Sequence, residues 1–268
     1  MEKSAPMSPI TVEVVVPAFN EAERLPRGLD LLCRRLAQLP VHASVLVVDN
    51  GSSDGTADIV RAWPAGPVEV RLVHCAKRGK GAAVRAGILS SRAAIVGFCD
   101  ADMATDPAVL RTFLALLRTH PVVIASRTHP GSDVQARHSR LRSAGAQLFR
   151  RFSRTLVPGV GDTQCGFKFF HGDLVRAAAR GQRASGFAFD VELLARCARL
   201  GGALPLEVPV TWQDVPGSKF SVLRHGLPVL AELVRMWTVL PRPVRPRPAR
   251  TGAADELAAA PALVRPAA

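Results

Sequence analysis

The sequence predicts an α/β protein with a mostly parallel central sheet flanked by helices and followed by a C-terminal amphipathic helix. Three observations carry the prediction. Short apolar runs alternate with segments of helical spacing between residues 12 and 126. Several of the runs are continuously apolar rather than alternating, as strands covered on both faces are. Four of them end in polar clusters, which the alternating order brings to one edge of the sheet, where ligands bind in folds of this class.

Val12–Val16 is the first strand and ends in Pro17-Ala18-Phe19-Asn20-Glu21. Leu25, Leu29, Leu32, Leu36 and Leu39 then recur at helical spacing. Val45–Val48 is the second strand; Ser53 or Asp54 beyond it can cap a helix through Trp63. Val68–Val73 leads through Lys77-Arg78-Gly79-Lys80-Gly81 to a helix over Ala82–Ser90. Ala94–Cys99 is the fourth strand and ends in Asp100-Ala101-Asp102. In extended chain, residues i and i+2 point to one side, so these two carboxylates can converge. Such a pair suits a hard divalent cation shared with substrate phosphates. The plainer reading is a solvated turn before a helix, because Asp106-Pro107 has the form of an N-cap with proline at the first helical position. Pro107–Arg118 is that helix, and Val122–Ser126 is the fifth strand.

The second half changes character. Ser139–Leu156 reads as an arginine-rich helix, Gly161–Phe170 as a turn into a short strand, and Gly186–Leu194 as the opening of a helix to Leu200. Leu206–Trp212 alternates as one strand, and Gly217–Phe220 is a loop. Over Val222–Leu240, Leu223, Leu227, Leu230, Val234, Trp237 and Leu240 share one helical face. That face either packs on the core or lies in a membrane interface. Pro241–Ala268, rich in Pro, Arg and Ala, reads as a disordered tail whose Arg242, Arg245, Arg247 and Arg250 favour anionic lipid.

A formal charge of +13 suits nucleic acid, anionic membranes or phosphorylated substrates. Aromatics are only 5% and no nucleic-acid-binding motif is present, so no nucleic-acid partner is expected. Five scattered cysteines without a Cys-X-X-Cys spacing imply no disulfide framework and point to a reducing cytoplasm. Cys33, Cys99 and Cys197 fall in apolar patterns and read as buried thiols. No signal pattern opens the chain, and no spanning run of apolar residues occurs. Dinucleotide and Walker fingerprints are absent: the first strand lacks a Gly-X-Gly-X-X-Gly, and Gly79-Lys80-Gly81-Ala82 lacks the P-loop Ser/Thr. Lys80 is instead suited to a diphosphate beside a helix N-terminus, or to a basic surface turn.

In their order, Val14–Glu21, Val47–Thr56 and Asp100-Ala101-Asp102 resemble the family 2 glycosyltransferases of the GT-A, nucleotide-diphospho-sugar transferase fold. Arg78–Gly81, Ser126-Arg127, Asp162–Lys168, Phe187–Leu194 and Gly217-Ser218-Lys219 are similar to the dolichyl-phosphate β-glucosyltransferases within that family. Eukaryotic members of that group carry an N-terminal membrane helix, whereas this sequence opens directly on the catalytic fold. The resemblance implies an extension over residues 1–10, a catalytic domain over 11–221 with a nucleotide-binding half (11–126) and an acceptor-binding half (127–221), an interfacial helix over 222–240 and a tail over 241–268.

The resemblance also implies roles. Pro17, Ala18, Asn20 and Glu21 frame the nucleoside, and Asp49 accepts from a uracil ring nitrogen. Lys80 lies near the base or diphosphate. Asp100 and Asp102, flanking Ala101, contact ribose and hold Mg²⁺ or Mn²⁺. Arg127, Arg142 and Lys219 contact the acceptor phosphate or the leaving diphosphate, while Asp162, Gln164, Asp190 and Glu192 line the sugar and acceptor side. A phosphate monoester, with a second pKa near ~6, attacks without a strong base, whereas a hydroxyl needs one and Asp190 is the candidate. Asp190 also reads as a plain helix cap. The expected activity is thus inverting transfer of glucose from UDP-glucose to a polyprenyl phosphate. The alternatives are a polyprenyl-phosphate mannosyltransferase using GDP-mannose and a soluble enzyme with a hydroxyl acceptor. The expected place is the cytoplasm, peripheral on the membrane face.

Overall fold

The structure is a computed structural model and describes residues 10–135, 149–215 and 222–240, without the side chains of 222–230. Arg142, Lys219 and the tail over 241–268 therefore lie outside the described residues, as does most of the helix expected over Ser139–Leu156.

The chain alternates strand and helix from its start: β1 (Thr11–Ala18), α1 (Leu25–Ala37), β2 (His42–Asp49), α2 (Thr56–Arg61), β3 (Glu69–His74), α3 (Lys80–Ser90) and β4 (Ile95–Cys99). A 3₁₀ turn, Pro107–Val109, leads into α4 (Leu110–Leu116) and then β5 (Val122–Ser126). There follow β6 (Asp133–Gln135), the helical residues 149–156 (α5), β7 (Phe167–His171), α6 (Gly172–Gly181), α7 (Phe189–Gly201), β8 (Leu206–Pro209), β9 (Thr211–Gln213) and α8 (Val222–Val239).

Seven strands form one sheet in the order β3-β2-β1-β4-β7-β5-β8. All neighbouring pairs are parallel except those made by β7, which runs antiparallel between β4 and β5. The continuous apolar runs follow from burial on both faces. Val12, Val14 and Val16 of β1 face α1 and α4 in one core, while Val15, with Leu46 and Val48 of β2, faces α3, α6 and α7 in the other. Each such side chain contributes roughly 1.5–3 kcal/mol on burial. Gly87 of α3 packs directly on the sheet: a Cβ there would lie 2.4 Å from Val15 Cγ1.

The strand order reverses between β1 and β4. From β1 the chain steps outward to β2 and β3, then crosses back to β4 on the other side. A crevice opens at the carboxyl ends of two strands at such a switch point. It receives the loops after β1, β2, β3 and β4.

Two expectations need correction. Leu206–Trp212 is two strands. After Pro209 the chain leaves the large sheet; Val210 donates from its N–H to Ser132 Oγ (3.1 Å) and accepts from Asp133 N (3.0 Å), and β9 pairs with β6. The Lys80 turn is not ahead of its helix but is its first residue. Of the apolar face expected on α8, Val234 and Trp237 are 50% and 67% exposed and Leu240 packs against the core, while Leu233 and Met236 on another face are buried. Among the described residues no helix is long and apolar enough to cross a membrane. All five cysteines are free, and Cys75 and Cys165 are buried as well as Cys99 and Cys197, with Cys33 half-buried.

Candidate active site

The loops after β1 and β2 are stitched to one another. Asn20 takes a left-handed conformation (φ 52°) that turns the chain sharply after Ala18. Its N–H donates to Ser52 Oγ (2.9 Å), and its side-chain carbonyl accepts from Ser53 N (2.7 Å). Glu21 N donates to Thr56 Oγ1 (2.8 Å) and Ala22 N to Asp54 (3.1 Å). Asp54 also accepts from Thr56 N (3.0 Å), closing the turn that opens α2. Asp49, at the end of β2, is 5% exposed and accepts from Ser52 N (3.1 Å), with His74 Nδ1 at 3.3 Å. Burial works against its charge, but the Ser52 bonds and the His74 contacts hold the carboxyl below its ordinary value.

Asn50 ties the third loop to the second. Its amide donates to Cys75 O (3.1 Å) and Lys77 O (2.8 Å) and accepts from Gly79 N (2.7 Å). An aspartate could make the last bond but neither donation. Asparagine therefore matters here: it fixes the Lys77–Gly79 turn that delivers Lys80. Gly79 has φ 120°, and a Cβ on it would lie 2.2 Å from Ser185 O, so the turn requires glycine.

Lys80 Nζ lies 2.5 Å from Asp100 Oδ1, at the carboxyl end of β4. Burial works against the ammonium, yet Asp100 and then Asp190 raise the Lys80 pKa and hold it charged. Asp102, two residues on, accepts from Ala104 N (3.2 Å) and lies 3.8 Å from Arg24 Nη1. Burial, followed by the neighbouring Asp100, pushes the Asp102 carboxyl up. Asp100 and Asp102 thus stand at the end of β4 with Lys80 and Arg24 as their cationic neighbours. Both donors are hard oxygens, so a divalent cation fits them chemically. Among the described residues no three acidic, histidine or cysteine side chains form a closed cage, so remaining ligands would come from substrate and water. The neighbouring loop leaves no room for a side chain: a Cβ on Gly166 would lie 2.0 Å from Asp100 Oδ2.

On the far side, Arg127 and Asp162 form a two-pronged pair, Nε to Oδ2 (2.7 Å) and Nη2 to Oδ1 (2.9 Å). Asp162 also accepts from the backbone N–H of Arg127, Gln164 and Cys165. Burial opposes its charge, but the Arg127 bonds bring its pKa down to about 2. The guanidinium also lies 5.6 Å from the centre of the Trp212 ring. Asp162 is thus an organiser that ties β5's exit to the loop before β7. Thr163 Oγ1 and Gln164 Nε2 in that loop are buried without a hydrogen-bond partner among the described residues.

Asp190 does not cap its helix. It lies in the first turn of α7, 3% exposed, with Lys168 Nζ at 2.6 Å. Lys168 is fully buried in β7; it also donates to Cys165 O (2.5 Å) and lies 5.1 Å from the Phe98 ring centre. Burial pushes the Asp190 carboxyl up, against the pull of Lys168 and Lys80. Glu192 is engaged in the fold, accepting from Arg183 N, Ala184 N and Arg196 Nε.

The structure therefore gathers Ala18, Asn20, Glu21, Asp49, Lys80, Asp100, Ala101 and Asp102 at adjacent strand ends, with Pro17 in β1, and Arg127, Asp162, Gln164 and Asp190 on the β5–β7–α7 side. Sequence reading missed Arg24, which grips Glu21 with two bonds (2.7 and 2.8 Å) and reaches toward Asp102. The three-residue spacing of Glu21 and Arg24 was the available signal. It also missed His74 and Lys168.

Comparison with known proteins gives the family and the fold. Residues 13–178 match the model of glycosyl transferase family 2. The chain is 33% identical over 254 residues to the dolichyl-phosphate β-glucosyltransferase of Dictyostelium discoideum, covering 88% of this chain and 76% of that one. It is 35% identical to the human dolichyl-phosphate β-glucosyltransferase, covering 78% and 69%. Among solved structures, glucosyl-3-phosphoglycerate synthase of Mycobacterium tuberculosis, bound to Mn²⁺, UDP-glucose and phosphoglyceric acid, superimposes with a TM-score of 0.66 at 20% identity over 87% of this chain and 81% of that one. At that identity the likeness is one of fold.

Proposed function

The chain belongs to glycosyl transferase family 2, and from that premise we propose that it moves glucose from UDP-glucose to a polyprenyl phosphate of the dolichyl type, with inversion at the sugar. The observation that carries the acceptor class is the state of Asp190. A hydroxyl acceptor needs a base that can reach it, whereas this carboxylate is enclosed and paired with an equally enclosed Lys168. A phosphate acceptor is largely dianionic at neutral pH and needs only to be held in line.

In this reading Pro17, Ala18, Asn20, Glu21 and Asp49 frame the nucleoside in the stitched loops. Asp100 and Asp102 would hold Mg²⁺ or Mn²⁺, which when bound neutralises charge on the departing diphosphate. Lys80, held as an ammonium, adds a fixed positive charge beside them. Arg127 keeps one guanidinium nitrogen outside its two bonds to Asp162, and with Arg142 and Lys219 would hold the acceptor phosphate. Gln164, with an amide lacking a partner among the described residues, is placed to serve sugar or acceptor oxygens. The exposed Val234, Trp237 and Val239 of α8 suit a lipid interface on the cytoplasmic face, where such an acceptor lies.

The raised Asp190 carboxyl favours the competing hydroxyl-acceptor reading. Asp190→Asn alone would strand the Lys168 charge, at a cost of about 3–5 kcal/mol. Asp190→Asn/Lys168→Met removes both charges together. With UDP-glucose, Mn²⁺ and polyprenyl phosphate, the double variant is expected to release UDP within about tenfold of the unaltered enzyme. A thousandfold loss with UDP-glucose binding intact would instead mark Asp190 as the base.

A further inference from the structure

α7 begins without a cap of its own. The residue at its N-cap position is Ala188, which has no side chain to accept a hydrogen bond and is fully buried. The backbone N–H groups there are cut off from water and need a partner from elsewhere. Glu192, one turn into α7, turns back instead to Arg183 N and Ala184 N. The group that faces this end comes from α8: the carboxylate of Glu232 lies against Gly186, turned toward the backbone N–H groups of Gly186 and Ala188. A Cβ on Gly186 would lie 3.4 Å from Glu232 Oε2, ordinary contact distance, so the carboxylate sits directly beside this stretch.

The stretch that Glu232 grips is in contact with both sides of the site. Ser185 O accepts from Ala82 N (3.2 Å) and lies against Gly79. Phe189 lies against Gly81, where a Cβ would be 2.4 Å from its own. One residue before Gly81 is Lys80, paired with Asp100; one residue after Phe189 is Asp190, paired with Lys168. We infer that Glu232 is a positioning residue: from α8 it supplies the contact that a capping-box glutamate would make, and so holds the 185–190 stretch in the register that sets Asp190 against Lys80 and Asp100. The same helix turns Val234 and Trp237 outward, so the anchor of the active-site helix and the exposed apolar face belong to one rigid element.

The inference rests on the proposed glucosyl transfer, and the test separates the two. Steady-state transfer from UDP-glucose to polyprenyl phosphate is measured for the full chain and for Glu232→Leu, Glu232→Gln and Met236→Ala. Glu232→Leu is expected to lower kcat about tenfold with both KM values within about twofold, the signature of misplaced groups rather than lost binding. Glu232→Gln keeps an accepting carbonyl and is expected to restore kcat to within about threefold of the unaltered chain. Met236→Ala loosens the packing of α8 without touching the carboxylate; it should lower the melting temperature and leave kcat unchanged below the melting range. Equal kcat for Glu232→Leu and the unaltered enzyme, equal losses for the Leu and Gln variants, or an equal loss in Met236→Ala would each overturn the inference. No transfer by the unaltered chain would overturn the proposed function itself.

Discussion

Asp162 makes five hydrogen bonds with one carboxylate, three of them to backbone N–H groups, and that density explains its low pKa. A folded-state value near 2 against an ordinary value of 3.8 means that the unfolded chain takes up the proton first as pH falls. The stabilisation is complete above the ordinary value and is lost as pH drops from about 4 toward 2. The difference corresponds to about 2 kcal/mol. Denaturant unfolding across that range should therefore show the unaltered chain losing about 2 kcal/mol more than Asp162→Asn; parallel losses would show that the carboxylate is not ionised by its Arg127 contact. Asn50 teaches a related lesson at the same scale. An aspartate there would have the same shape and could still accept from Gly79 N. The two donations of Asn50 to Cys75 O and Lys77 O show a site that uses the amide.

Among the elements, β7 is the one that the site is built around. It enters antiparallel between β4 and β5, presents Lys168 to Asp190, and brings Gly166 against Asp100. Gly166→Ala should cut transfer about a hundredfold by pushing the Asp100 carboxylate aside, with circular dichroism unchanged; activity above half of normal would show that the loop yields instead. The parallel strands and their polar ends were legible because each signal is local: an apolar run, then a polar cluster. Lys168 was not, because a lysine flanked by phenylalanines reads as an outward position and its partner lies 22 residues away. β6 was missed because three exposed residues carry no apolar pattern. The break at Val210 depends on Ser132, far off in the chain. α8 was found, but a helix with two apolar stripes does not declare which one meets the core. Leu233 and Met236 do, with Leu240 partly buried beside them, while Val234 and Trp237 face outward.

Over the whole molecule, the proposed membrane attachment draws on the charge of +13 and the exposed Val234 and Trp237 of α8, which suit an anionic lipid surface. Flotation with vesicles containing phosphatidylserine should carry the protein upward and shift Trp237 emission to the blue, and Trp237→Ser should weaken the binding about tenfold. Equal flotation of both proteins would remove α8 from the interface. The larger claim is that the switch-point crevice joins a nucleotide-sugar site to a lipid-phosphate site in one chain. It is tested most directly by supplying purified protein, polyprenyl phosphate and Mn²⁺ with either labelled UDP-glucose or labelled GDP-mannose, and following label into the lipid phase. Label should enter a mild-acid-labile glucosyl lipid from UDP-glucose and should not do so in Asp102→Asn. Label appearing only in water-soluble product, or entering lipid from GDP-mannose alone, would contradict the account.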